Sequence, residues 1–203
     1  VNVTSTAEGA VTLDPAKLND VDKLSISAST NASLISGADA SDFTSLTDAG
    51  SLEIQSNGTL ALSQANAKKL ESKLSGTGQV NVSAVDATVA LNIADTLDVG
   101  VTLADNSGDA YTINHVNLAK VDRINVVGSD VLTVTSSSNS AVDLEQLKSL
   151  NLSSGADLKV NPGATSEMPN LQAITGTSGS GEDATFTTAA GSSSVNLSKI
   201  ADV

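Results

Sequence analysis

The sequence predicts an all-β chain, a parallel β-solenoid of irregular, leucine-rich-repeat-like rungs about 25 residues long. Three observations predict it. An apolar phrase recurs along the chain, the core alphabet is confined to small and branched aliphatics, and short alternating strands are separated by turns rich in Gly, Ser, Asn and Asp.

The repeat emerges from self-alignment. Ser51-Leu52-Glu53-Ile54, followed by Thr59-Leu60-Ala61-Leu62, matches Ser149-Leu150-Asn151-Leu152, followed by Asp157-Leu158-Lys159-Val160, at every apolar position. Val21-Asp22-Lys23-Leu24-Ser25-Ile26 matches Val121-Asp122-Arg123-Ile124-Asn125-Val126 in the same way. The first apolar residues of successive phrases form the series Leu24, Leu52, Val80, Val99, Ile124, Leu150, Ile174 and Ile200. Each unit reads as a short strand of period two, a polar turn, a second strand such as Leu132-Thr133-Val134, and a connector. Connectors often carry Leu-x-x-apolar, as in Leu118 to Val121, Leu144 to Leu147 and Leu171 to Ile174. No such unit buries its apolar face alone, so stacking must close the core.

One connector, 63–76, reads as helical. Ser63 is an N-cap, 64–74 is built of helix formers with Leu70 and Leu74 one turn apart, and Gly76 supplies the stop. The remaining Ser/Gly/Thr-rich connectors read as irregular loops. The whole of 1–203 is expected to be one elongated repeat domain. Because it begins at Val1 and ends inside a repeat, it is expected to be a segment of a longer chain.

Composition narrows the function classes. Apolar residues make up 39% of the chain but aromatics only 1%, which disfavours an aromatic-lined ligand pocket or a base-stacking surface. The formal net charge of −13 and the single arginine, Arg123, argue against nucleic acid and anionic membrane surfaces as partners. No stretch reaches the roughly 18 apolar residues of a membrane span. Without cysteine, disulfides and thiolate metal sites are ruled out.

The residues that invite chemistry form an Asx series just before the second strand of each unit: Asn31, Asn57, Asp86, Asp109, Asp130, Asp157 and Asp183. Two readings stand. Stacked in register, Asp86, Asp109, Asp130, Asp157 and Asp183 would form a carboxylate row that calcium, a hard ion preferring oxygen ligands, could bridge. Equally, Asx side chains serve turns by accepting local backbone hydrogen bonds, and the uncharged Asn31 and Asn57 fit that role. His115, the only histidine, has no cysteine or evident carboxylate to complete a zinc site or triad. Many carboxylates are present, yet a glycosidase would be expected to bring sugar-binding aromatics, so no enzymatic activity is expected. A Thr-x-Thr ice-binding array is present only in fragments, at Thr133 to Thr135 and Thr185 to Thr187.

These repeats, the acidic cysteine-free composition, the Gly-x-Asp turns at 128–130, 155–157 and 181–183, and the phrase from Thr59 to Gly78 resemble type I-secreted surface-layer and RTX-type surface proteins of Gram-negative bacteria. Gly128-Ser129-Asp130-Val131-Leu132 resembles the latter part of the RTX calcium nonapeptide, without its period of nine. The resemblance implies a secreted, calcium-stabilised coat at the bacterial cell surface, assembling with itself or with neighbouring domains of the same protein. An adhesin or fibre module recognising glycan or protein is the alternative, and a β-helical polysaccharide-processing enzyme the remote one.

Overall fold

Alternation of apolar and polar residues over four to six positions buries every second side chain, and such strands need partners to satisfy their backbone hydrogen bonds. The computed structural model describes residues 1–3, 10–28, 30–35, 37–43, 46, 50–84, 91–103, 110–126, 131–135, 142–143, 147–152, 157–161, 165–167, 173–176, 183–186 and 194–196. It consists mostly of parallel β-sheet with a short α-helix. Two compact units are distinguished, residues 1–83 with 91–100, and residues 84–90 with 101–203.

In the first unit the strands are β1 (Asn2–Val3), β2 (Ala10–Leu13), β3 (Lys23–Ile26), β4 (Asn31–Leu34), β5 (Ser51–Ile54), β6 (Thr59–Ser63), β7 (Leu74–Gly76) and β8 (Gln79–Ala84), with α1 (Gln64–Leu70) between β6 and β7. The chain alternates between two sheets. Odd strands run in the order β1-β3-β5-β7, and even strands pair as β2-β4-β6-β8. Register stacks Leu24 on Leu52 and Leu52 on Leu74 in the first sheet. In the second it stacks Ala32 on Leu60 and Leu60 on Val80. All six side chains are buried. Burying one such leucine contributes on the order of 1.5–3 kcal/mol, and a column repeats that gain at each step.

The connectors complete this core. Phe43 and Leu46 on one connector and Leu70 on α1 are fully buried. Ser63 caps α1 as its sequence position predicts, its hydroxyl accepting from the Asn66 N–H at 3.3 Å. The helix is shorter than the predicted 64–74. It ends at Leu70, and Leu74 opens β7. Stacking Leu74 on Leu52 buries it in the sheet column, and this overrides its helical propensity.

Gly76 accordingly ends a strand rather than the helix. It lies opposite Ile54 with φ of 113°, and the Ile54 carbonyl accepts from both Thr77 N–H (3.0 Å) and Gly78 N–H (2.9 Å). A Cβ on Gly76 would fall 2.1 Å from that carbonyl oxygen.

The series that sequence placed in one column divides. Val80 belongs with Leu60 in the second-strand sheet, while Leu74 takes the place next to Leu52. The phrases around Val80 and Leu52 have the same alternation, and alternation alone does not say which neighbour a strand will choose.

Strand β9 (Asp98–Leu103) is divided between the units. The second unit contains β10 (Ala110–Asn114), β11 (Arg123–Val126), β12 (Val131–Thr135), β13 (Val142–Asp143), β14 (Ser149–Leu152), β15 (Asp157–Asn161), β16 (Thr165–Glu167), β17 (Ala173–Gly176), β18 (Asp183–Phe186) and β19 (Ser194–Asn196). Here every third strand pairs, giving the runs β11-β14-β17, β12-β15-β18 with β10 beside β12, and β13-β16-β19. Ile124, Leu150 and Ile174 share one register position, as the repeat predicts, and Leu132, Leu158 and Ala184 another. The third run is absent from the sequence reading, which treats these connectors as irregular. Ile200 lies outside the described residues.

Leu52→Ala is expected to lower unfolding free energy by about 2–5 kcal/mol, whereas Glu53→Ala, one residue along on the exposed side, should change it by less than about 0.5 kcal/mol. Urea titrations followed by circular dichroism of the β signal check both.

Candidate functional site

Sequence singles out acidic positions in the second unit. Asp157 and Asp183 open β15 and β18 and are register partners in adjacent parallel strands. Such strands lie about 4.8 Å apart, and like charges directly opposite each other in a sheet oppose pairing unless solvent or a cation answers them. A second acidic pair, which the sequence reading did not single out, lies in the third run. Asp143 pairs with Glu167, and Glu167 with Asn196. Both pairs are set by backbone register, which is invisible in a linear Asx series.

Of the remaining series, only Asn31 and Asn57 lie among the described residues. Val131 is the register partner of Asp157. Asn31 pairs with Thr59, two residues after Asn57. Asp86, Asp109 and Asp130 themselves lie outside the described residues. Among the described residues, no three of His, Asp and Glu gather as a metal-binding group.

Asn57 of the series and two Asx residues outside it sit in turns. Asn57 is exposed and left-handed, with φ of 62°, a conformation that asparagine tolerates better than most residues. Two Asx residues outside the series cap 3-10 turns. Asp14 Oδ1 accepts from Ala16 N–H at 3.2 Å ahead of Pro15–Lys17, and Asn114 Oδ1 accepts from Val116 N–H at 3.2 Å ahead of His115–Leu118. Each turn closes into the same connector, with Val21 N–H donating to Leu18 and Val121 N–H to Leu118. The two phrases are the same device used once in each unit. An alignment that ran back beyond Val21 and Val121 would have found it. His115 therefore sits inside a capped connector turn.

The connectors of the first unit are joined by a polar cluster around α1. Asn66 is buried, its Oδ1 accepting from Ala40 N–H and its Nδ2 donating to the Ala38 carbonyl, both at 2.9 Å. Lys69 meets Asp39 at 2.5 Å. On the other side, Glu71 accepts from Lys68 at 2.8 Å and from Asn92 N–H at 2.8 Å. The helix thus ties the connector before it to the segment after it. In the second unit, buried Asp122 pairs with Lys148 at 2.6 Å, and the Lys148 N–H donates to the Asp122 carbonyl at 2.7 Å. These groups join segments that are far apart in sequence.

Both aromatic side chains that are described, Phe43 and Tyr111, are buried. They serve the core rather than a stacking surface. No helix among the described residues is long and apolar enough to cross a membrane. Comparison with protein-family models, curated proteins and solved structures finds no match. The functional reading therefore rests on the chain's own residues.

Asn66→Ala strands the Ala40 N–H and Ala38 carbonyl in a buried place and is expected to cost about 1–3 kcal/mol. Lys68→Ala removes a half-exposed ion pair and should cost no more than about 1 kcal/mol. Paired thermal and urea melts of the two variants distinguish them.

Proposed function

We propose that the chain is a structural segment of a bacterial cell-surface coat, secreted and non-enzymatic, coiled as a parallel β-solenoid. The carrying observation is the recurrence of parallel strands at every second position in the first unit and every third in the second, with aliphatic residues in register. A chain of this kind buries its core by adding repeats, which suits extended surface architecture better than a pocketed enzyme.

The acidic balance supports the same reading. A net charge of −13 keeps a large sheet surface soluble and attracts divalent cations. Calcium would bridge carboxylates on successive strands, with Asp157 and Asp183 the pair that register supports best. Partners on this reading are further copies of the chain or neighbouring domains of the same protein. Resemblance to RTX-type surface proteins in repeat style and composition favours the bacterial surface as the location.

An adhesin or fibre module is the second reading, favoured by one column. Thr112, Thr133, Lys159 and Thr185 share a register position across β10, β12, β15 and β18, a run of polar residue types whose chemistry suits glycan hydrogen bonding. A glycan array bound through this face, with loss in Thr112→Val and Thr133→Val, would favour it over the coat.

Calcium titration with calorimetry and light scattering tests the coat. Calcium is expected to raise the melting temperature and the scattering mass, chelator to reverse both, and the double change Asp157→Asn with Asp183→Asn to reduce the shift. A melt and scattering indifferent to calcium would remove the metal from the proposal. A chain monomeric at all concentrations, with and without calcium, would remove self-assembly.

A further inference from the structure

The turn between β5 and β6 holds the one Asn-Gly dipeptide of the chain, Asn57-Gly58. Gly58 is demanded by the fold and Asn57 is tolerated by it, for different reasons. Asn57 occupies the left-handed region, where few side chains are tolerated. Gly58 is buried against carbonyls of its own turn and of the preceding strand. A Cβ there would lie 2.9 Å from the Ser27 oxygen, 3.0 Å from that of Gln55 and 3.2 Å from that of Ile26. The packing of successive turns thus places the least hindered backbone amide next to an exposed asparagine side chain.

That juxtaposition has a known chemistry of its own. The Gly58 nitrogen attacks Cγ of Asn57, a C–N bond forms, and the Cγ–Nδ2 bond breaks with release of ammonia. Solvent water then opens the cyclic imide at either carbonyl, giving an aspartyl or an isoaspartyl residue. The attack needs the Gly58 N–H to be free and deprotonated, and the backbone at Asn57 to turn towards it.

In the folded chain the Gly58 N–H donates to the Gln55 carbonyl at 2.8 Å. The turn is anchored on both sides. The Gly58 carbonyl accepts from Gln79 N–H at 2.8 Å, and Thr59 N–H donates to the Thr30 carbonyl at 2.8 Å. We propose that Asn57 is a spontaneous deamidation site gated by opening of the Gln55–Gly58 turn, closed in the folded protein and reactive whenever this corner unfolds. The isoaspartyl product carries an extra backbone carbon into a corner bonded to the turns before and after it, so a modified chain does not regain the same hydrogen bonds. This inference is independent of the coat proposal, since it depends only on β3 to β8 of the first unit.

The test is peptide mapping by mass spectrometry of the full chain aged at mildly alkaline pH, folded and in urea. Conversion at Asn57 is expected to be at least about tenfold faster in urea, because reaction of the folded form passes through local opening. Asn57→Gly, which keeps the left-handed turn, should show no conversion of this peptide in either condition. Equal rates folded and unfolded would overturn the gating, and an Asn57 that persists in urea would overturn the site itself.

Discussion

Parallel pairing between successive passes of the chain is the constraint on which everything else depends. A parallel strand finds its partner one full turn away in sequence, never across a hairpin. Each pass must therefore return to the same place with its side-chain alternation in phase. A slip of one residue would turn Leu24, Leu52 and Leu74 outward together. The corner residues have to guarantee that phase, and this is why the most demanding backbone positions, Asn57, Gly58 and Gly76, gather where strands end.

The connectors determine how each unit closes. In the first unit they carry short helical segments, with Asn66 buried between turns and both faces of α1 tied to neighbouring segments. In the second unit the corresponding connectors contain strands of two or three residues, which pair among themselves and add a third run. The change follows composition. Gln64–Leu70 is made of helix formers, whereas Thr165–Glu167 and Ser194–Asn196 are rich in residues that favour extended backbone or turns.

A surface-coat role is consistent with this economy. The described aromatics are in the core, the buried polar groups serve connections between turns, and the acidic register pairs sit at the ends of strands.

Much of the fold was legible from residues. The paired phrases at 21–26 and 121–126, the inward aliphatics of β5 and β14, the cap at Ser63 and the aromatic-poor core follow from local alternation, capping chemistry and composition. The two-residue and three-residue strands of the third run were not legible, being too short to display a period. Nor was the end of α1, where a helical pattern through Leu74 yields to burial against Leu52.

What sequence determined by itself was therefore the alphabet and the rhythm: which side chains can turn inward, and roughly how often the chain must come back. Tertiary structure alone decided which pass lies beside which. Partner choice moved Val80 to Leu60 and paired Asp157 with Asp183. The physical reason is that alternation is a property of one strand, whereas register is a property of two, set by corner lengths and by the fit of side chains that meet only after the chain has closed a turn.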